Sequence, residues 1–327
     1  MIGRALMARA GEGKSYAVGF EDLALDAWPA GDVVIRVSHS GLNYKDALAI
    51  TGRGPIIRSF PMVLGIDLAG EVIESASPRF AAGDRVIVDG WGLSETRWGA
   101  YAQVVRMPES VVQPLPAGLS PEQAMQIGTA GYTAMLCAMA LMDHGLRPGG
   151  DAVLVTGASG GVGSVAVSLL ARAGYEVIAV SGRPEQEAFL KSLGAAQVLG
   201  REAVSAGGRP MAKERWAGVV DVAGGQLLAD AIAQTRYDGI VAACGMAGGA
   251  ALATSVFPFI LRGVTLRGVD SVMVPMARRL AAWARLDADL DRGLLAQLGR
   301  THDFADLPQL AVDLLEGRLQ GRIAVRL

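Results

Sequence analysis

Cysteine is scarce in this chain: two of 327 residues, Cys137 and Cys244, each inside an apolar run. Two thiols build neither a disulfide framework nor a zinc knuckle, and the chain reads as one for a reducing cytoplasm. Histidine is as sparse, with His39, His144 and His302, and no Cys/His pair has ligand spacing. These three read as structural or solvated, so no metal site is expected. Charge is balanced, 30 basic against 32 acidic side chains for a net −2, which gives nucleic acid nothing to bind. The start, "MIGRALMARAGEG", lacks a continuous apolar core, so no signal peptide is expected. Two spans lack charge altogether, residues 123–142 and 239–261, and both are long enough to cross a bilayer. Glycines interrupt each of them and would leave backbone groups unpaired in lipid, so neither is read as a membrane span. Fixed-period repeats and low-complexity tracts are also missing.

What is present is glycine, 43 residues of it, in a chain that is 51% hydrophobic. The length favours two domains, and the composition suits an α/β protein with tight turns and buried parallel strands. Residues 1 to about 120 read as mostly β. "GDVVIRVSHSGLN", "LAGEVIES" and "FAAGDRVIVDG" carry β-branched runs punctuated by glycine and proline. From about residue 125 helices and short apolar strands alternate. "AVLVTGASGGVGSVAVSLLARAG" is strand, turn and helix; "YEVIAVSGR" is the next strand and "EQEAFLKSLGA" a helix. "GVVDVAGG" and "GIVAACGMAGG" are strands with glycine turns, and "VTLRGVDS" is one more strand. That alternation implies a parallel sheet with right-handed crossovers. A helix in "LPQLAVDLLEGRL" and a strand in "GRIAVRL" close the chain.

Residues 155–163, "VTGASGGVG", pack four glycines behind an apolar strand and ahead of an apolar helix. Such a turn bends tightly, lets backbone approach a pyrophosphate and lets helix pack on strand, while the helix start offers N–H groups to the anion. The spacing is Gly157-x-x-Gly160-x-x-Gly163, with Ala158 at the usual first glycine, and packing alone is the competing reading. The tip of the second strand selects the cofactor. An NAD enzyme places an acid there, about 20 residues on. Here Ser181, 18 residues after Gly163, opens "SGR" with no acid. A hydroxyl, a bare backbone and the Arg183 guanidinium suit the 2′-phosphate of NADPH, against the plainer reading of a surface arginine.

With those residues in hand, the chain resembles the zinc-free, quinone-oxidoreductase-like branch of the medium-chain dehydrogenase/reductase superfamily, and within it the NADPH-dependent acryloyl-CoA reductases. The resemblance runs the whole length, through "GLNYKDALAITGRG", "FPMVLGIDLAGEV", "IGTAGYTAMLCAMAL", "VTGASGGVGSVAV", "VSGR", "AACGMAGG", "FILRGVTLRGVDSVM" and "QGRIAV". It implies a GroES-like, partly β-barrel catalytic domain from residues 1–124 and 272–327. A Rossmann domain with a doubly wound parallel sheet, residues 125–271, is inserted into it, with the active cleft between the two. Cofactor contacts are implied at Tyr44, Ser159, Gly160, Gly161, Val162, Ser181, Gly182, Arg183, Arg201, Met246, Ile260, Ser271 and Arg322. Zinc-dependent relatives carry Gly-His-Glu where this chain has Gly65-Ile66-Asp67, so zinc is not expected.

Without a metal to polarise an alcohol, hydride transfer to an activated double bond is the simpler chemistry. Tyr44 is the first candidate for cofactor positioning and proton relay, and Arg322 a second donor. Arg53, Arg58 and Arg97 stand in loops where CoA phosphates or solvent are their two readings. Three function classes follow: an acryloyl-CoA reductase, a quinone or enone reductase on the same scaffold, and a non-catalytic NADPH-binding protein. A homodimer is the default assembly.

Overall fold

The structure is a computed structural model and describes residues 1–13 and 15–327. The chain divides into two compact units: residues 1–129, 272–287 and 295–327, and residues 130–271 with 288–294.

The first unit opens with β1 (Ile2–Ala10) and β2 (Tyr16–Ala24), an antiparallel pair to which β4 (Met62–Val63) adds a third strand. The larger sheet is built on β3 (Val33–Leu42), β5 (Asp67–Ser75), β6 (Arg85–Asp89), β7 (Val104–Met107) and β8 (Gln113–Pro114). β3 pairs antiparallel with both β5 and β7, β5 with β6, and β6 with β8. Between β3 and β4 lies a helix that the strand-rich reading passed over, α1 (Tyr44–Thr51). Its sequence signal is Asn43-Tyr-Lys-Asp46: the Asp46 carboxylate accepts the Asn43 backbone N–H at 2.9 Å, half of a capping box.

α2 (Pro121–His144) leads out of this unit and is broken at Gly128 (φ 52°, ψ −166°). A Cβ there would lie 2.5 Å from Arg322 Nη2 and 2.7 Å from Asp67 Oδ2, so no other residue fits. Among the described residues α2 alone is long and apolar enough to cross a bilayer, yet 83% of its apolar window is buried inside the fold.

The second unit holds β9 (Val153–Val155), α3 (Gly161–Arg172), β10 (Val177–Val180), α4 (Glu187–Ser192) and β11 (Gln197–Leu199). β12 (Trp216–Asp221), α5 (Gly225–Ala233), β13 (Thr235–Ala243), α6 (Phe257–Arg262) and β14 (Thr265–Gly268) complete it. All six strands run parallel in the order β11-β10-β9-β12-β13-β14. Sequence order reverses between β9 and β12, the place where sheets of this kind bind ligands outside their carboxyl ends. The strands are short apolar runs because helices cover both faces. Leu154, Ile178, Val180, Val219 and Val241 pack in one core with Trp216, whose indole N–H donates to Ala231 of α5 at 3.0 Å.

α7 (Met276–Asp289) and α8 (Arg292–Leu298) carry the chain back, followed by β15 (Gly299–Asp303), α9 (Leu307–Leu315) and β16 (Arg322–Arg326). β16 pairs parallel with β15 and antiparallel with β3, so the last strand sits beside the third. α7 buries Arg279, Ala282, Trp283 and Leu286, one face at helical spacing. Arg279 forms a wholly buried ion pair with Asp89 at 2.5 Å and lies 4.6 Å from the Trp91 ring.

The turn after β9 shows why glycine is needed at 163. A Cβ there would stand 2.3 Å from the Gly157 carbonyl oxygen and 2.6 Å from Ala158 Cα. This is the close helix-on-strand approach assigned to the third glycine of a dinucleotide turn. Gly163→Ala should cost roughly 1–3 kcal/mol, the scale of overpacking, measured as a lower urea midpoint at unchanged slope.

Candidate functional site

Three strand ends of the second unit bring together residues far apart in sequence. The turn after β9 is tied to β10 by Ala158 N–H donating to the Val180 carbonyl at 3.0 Å. Gly160 caps α3 in extended conformation, and Gly161 and Val162 open the helix with N–H groups that have no intrahelical acceptor. The Ser159 and Ser181 hydroxyls, both buried, are 3.3 Å apart. Arg183 Nη2 donates to Ser159 Oγ at 3.1 Å, and the Arg183 backbone N–H donates to Ser181 Oγ at the same distance. Arg201, just beyond β11, lays its guanidinium along the bare Cα of Gly182. A Cβ at 182 would lie 2.9 Å from Arg201 Nε and 3.1 Å from its Cζ.

Two guanidinium groups, two hydroxyls and a helix start therefore converge at one edge, a donor set matched to a phosphate dianion. Ser159, Gly160, Gly161, Val162, Ser181, Gly182, Arg183 and Arg201 all belong to this cluster. Met246 follows β13 and Ile260 lies on α6; both are strongly exposed, at 69% and 71%. Ser271 lies three residues past the end of β14, half-buried.

Below the turn, Asp221 at the end of β12 is buried and holds two loops. It accepts from Thr156 Oγ1 at 2.6 Å and from the Gly224 backbone N–H at 2.8 Å. Burial pushes its carboxyl above the usual range, and those donors pull it back. Nothing in the spacing of "VVDVAGG" distinguishes this aspartate from a surface one; it becomes visible only when β9 and β12 pair.

The first unit holds a second polar cluster, which sequence reading left unassembled. Asp67, the first residue of β5, accepts from Asn43 Nδ2 at 2.7 Å and from the Thr129 backbone N–H at 2.9 Å. The Thr129 hydroxyl donates to its other oxygen. Arg322 is 3% exposed and turned inward. Its Nε donates to the Gln126 carbonyl at 3.0 Å and its Nη2 to Asn43 Oδ1 at 3.2 Å. Tyr44, next to Asn43, is 54% exposed, and its hydroxyl meets no partner among the described residues. It is therefore available to a ligand. Lys45 pairs with Glu95 at 2.6 Å, and Arg53 lies 3.7 Å from Glu316.

Among the described residues no three His, Cys, Asp or Glu side chains gather to hold a metal ion. His39 stands on β3, His144 ends α2 and His302 lies on β15. Ile66, at the position where zinc relatives carry histidine, is a buried apolar residue.

Comparison with known proteins agrees with this geometry. Two family profiles match, one described as an alcohol dehydrogenase GroES-like domain over residues 29–117 and one as a zinc-binding dehydrogenase over residues 161–285. A protein of Ruegeria pomeroyi named acrylyl-CoA reductase AcuI is 49% identical over 314 residues, 96% of this chain and 95% of its own length. The yhdH oxidoreductase of Salmonella enterica, solved in complex with NADP, superposes with a TM-score of 0.96 at 51% identity, covering 99% of each chain. The Bacillus subtilis protein yhfP, solved with NAD bound, gives a TM-score of 0.96 at 41% identity over 100% of each. The fold is thus shared by structures solved with NADP and with NAD.

Arg183→Ala should weaken NADPH binding by roughly 1.5–3 kcal/mol, the scale of a charge-assisted hydrogen bond, and leave NADH binding nearly unchanged. Gly182→Ala, which displaces Arg201, should shift the same ratio in the same direction. Titration of both cofactors against each variant checks this; equal losses for both would show that neither residue reads the phosphate.

Proposed function

Because the chain belongs to the medium-chain dehydrogenase/reductase family, we propose that it is an NADPH-dependent reductase converting acryloyl-CoA to propionyl-CoA. The observation that carries this reading is the 49% identity, over nearly the whole of both chains, to a protein named for that activity. The cluster of Ser159, Ser181, Arg183 and Arg201 supports NADPH as its cofactor. When bound, NADPH supplies the hydride that reaches the β-carbon of the activated double bond.

Two tasks fall to the chain's own residues. Negative charge building on the thioester oxygen must meet a donor, and a proton must reach the α-carbon. Tyr44 is our assignment for cofactor positioning and for the proton, because its hydroxyl is exposed and uncommitted. Arg322 is assigned a part behind it, through its bond to Asn43. Gly160, Gly161, Val162 and Gly182 are assigned to the cofactor phosphates as backbone, and Met246, Ile260 and Ser271 as further cofactor contacts. The reading requires no zinc, since Ile66 offers no ligand.

We further propose a homodimer and a cytoplasmic setting. β14 pairs with β13 on one side only, and among the described residues its outer edge has no partner. Beside it α6 exposes Phe257, Ile260 and Leu261. An unpaired edge next to an apolar face suits a two-fold contact with a second copy. Both cysteines are free, as a reducing compartment keeps them.

NADPH oxidation measured in parallel with acryloyl-CoA, crotonyl-CoA and a quinone tests the activity. Acryloyl-CoA should be the best substrate, and free acrylate far poorer, since the CoA portion supplies much of the binding energy. Good turnover of quinone without acryloyl-CoA turnover would transfer the protein to the quinone reductases. No turnover of any would leave NADPH binding as the function. Leu261→Glu should shift sedimentation from dimer to monomer; an unchanged dimer would move the interface elsewhere.

A further inference from the structure

The first unit encloses two carboxyl groups and one guanidinium around a single amide, that of Asn43. Asn43 Nδ2 donates to Asp67 Oδ2 at 2.7 Å and also to Asp46 Oδ2 at 3.2 Å, while Asn43 Oδ1 accepts from Arg322 Nη2 at 3.2 Å. Asp46, Asp67, Asn43 and Arg322 are all buried, and β5, β16, α2 and the end of β3 close over them. Asp67 is well supplied with donors, from Asn43 and twice from Thr129. Asp46 is not. Its Oδ2 takes the two Asn43 donors, and its Oδ1 is buried with no partner.

A neighbouring hydroxyl accounts for it. The Tyr101 hydroxyl lies beside Asp46 but already donates to the Gly41 carbonyl at 2.9 Å. An ionised Oδ1 would find no proton there. A protonated Oδ1 would donate to the free lone pair of the tyrosine oxygen, completing a chain from Asp46 through Tyr101 to Gly41. Charge reaches the same result: one buried guanidinium balances one carboxylate, and Asp67, the one with more donors, keeps it.

We propose that Asp46, as the neutral acid, and Asp67, as the carboxylate, form a positioning pair that holds Asn43 from two sides. Through Asn43 the pair sets the first turn of α1, and with it Tyr44, for the reduction described above. The kinetic half of this inference rests on that function; the structural half does not. Neither carboxyl is a catalytic residue, since each acts through Asn43.

Burial, with the Asp67 charge second, raises Asp46 to about 7, against the Asn43 hydrogen bonds and the Lys45 charge, which lower it. The groups facing Asp46 are Asp67 on β5, Arg322 on β16, Tyr101 ahead of β7 and Lys45 on its own helix. Burial also lowers the Arg322 guanidinium and lifts the Tyr101 phenol. A raised native pKa means that the folded chain holds more protons than the unfolded one between the ordinary 3.8 and about 7. Stability from this group is therefore greatest at the acid end and lost as pH rises through that window. Asp89, raised to about 6, acts in the same sense, but equally in wild type and in variants at position 46.

The test compares full-length wild type, Asp46→Asn and Asp46→Ala by thermal unfolding and by kcat and KM across that pH range. Asparagine keeps an acceptor for Asn43 and a donor for Tyr101, so it mimics the neutral acid. Wild-type kcat should fall as Asp46 ionises near neutrality; Asp46→Asn should remove that fall and flatten part of the fall of Tm with pH. Asp46→Ala should lower kcat on the order of tenfold or more with little change in KM for NADPH, as misplacement rather than lost binding predicts. The pair is refuted if Asp46→Asn unfolds with the wild-type pH dependence, or loses as much kcat at pH 6 as Asp46→Ala. If wild type does not turn over acryloyl-CoA, the function fails, and the unfolding curves alone still decide the pair.

Discussion

The first unit is organised by one carboxylate that water does not reach. Asp67 opens β5 and gathers donors from Asn43 at the end of β3 and from Thr129 on α2. Arg322 of β16 supplies the opposite charge nearby and reaches the same asparagine. A buried charge without partners costs several kcal/mol, so each of these elements must end where its donor meets Asp67. The glycines follow from this. A side chain at Gly41 would lie 2.9 Å from Asp67 Oδ2, and one at Gly128 would strike both Asp67 and Arg322. The break in α2 falls at Gly128, where any side chain would strike both groups.

The second unit solves the opposite problem. At its sheet edge, donors are held by neighbouring side chains and backbone rather than by a buried carboxylate. The backbone between Gly157 and Gly163 is bare because helix and strand nearly touch there. The two serines lean on one another and on Arg183, holding their hydroxyls at the edge of the sheet. Arginine accordingly has three uses in this chain. Arg183 and Arg201 flank Gly182 at the sheet edge, Arg322 holds an asparagine, and Arg279 closes an ion pair with Asp89 beside Trp91. Residue type does not separate these roles; burial and the partner do.

That contrast explains how much was legible in the sequence. The parallel sheet is read from alternating strands and helices, and the glycine turn and strand tip at Ser181 are local signals; the structure places these elements as the sequence suggests. β1 and β2 carry mixed, half-exposed faces with no strong alternation, so the sequence marks them only as part of a mostly β region. α1 is eight residues long, and its one marker was the Asn43-x-x-Asp46 pairing. The Asp67 cluster could not have been assembled from spacing, because positions 43, 46, 67, 129 and 322 meet only after β16 returns to lie beside β3. Asp67 was legible as a departure from a zinc signature, which told what it was not. Arg322 was read as a donor, and its inward turn depended on a partner 279 residues away.

The proposed reaction is reduction of the double bond of acryloyl-CoA with hydride from NADPH. The most direct test is to run acryloyl-CoA with ordinary NADPH in deuterated water and locate the label in the product. The expected product is propionyl-CoA with one deuterium at the α-carbon and none at the β-carbon. Deuterium at the β-carbon, or oxidation of NADPH with no propionyl-CoA formed, would contradict it.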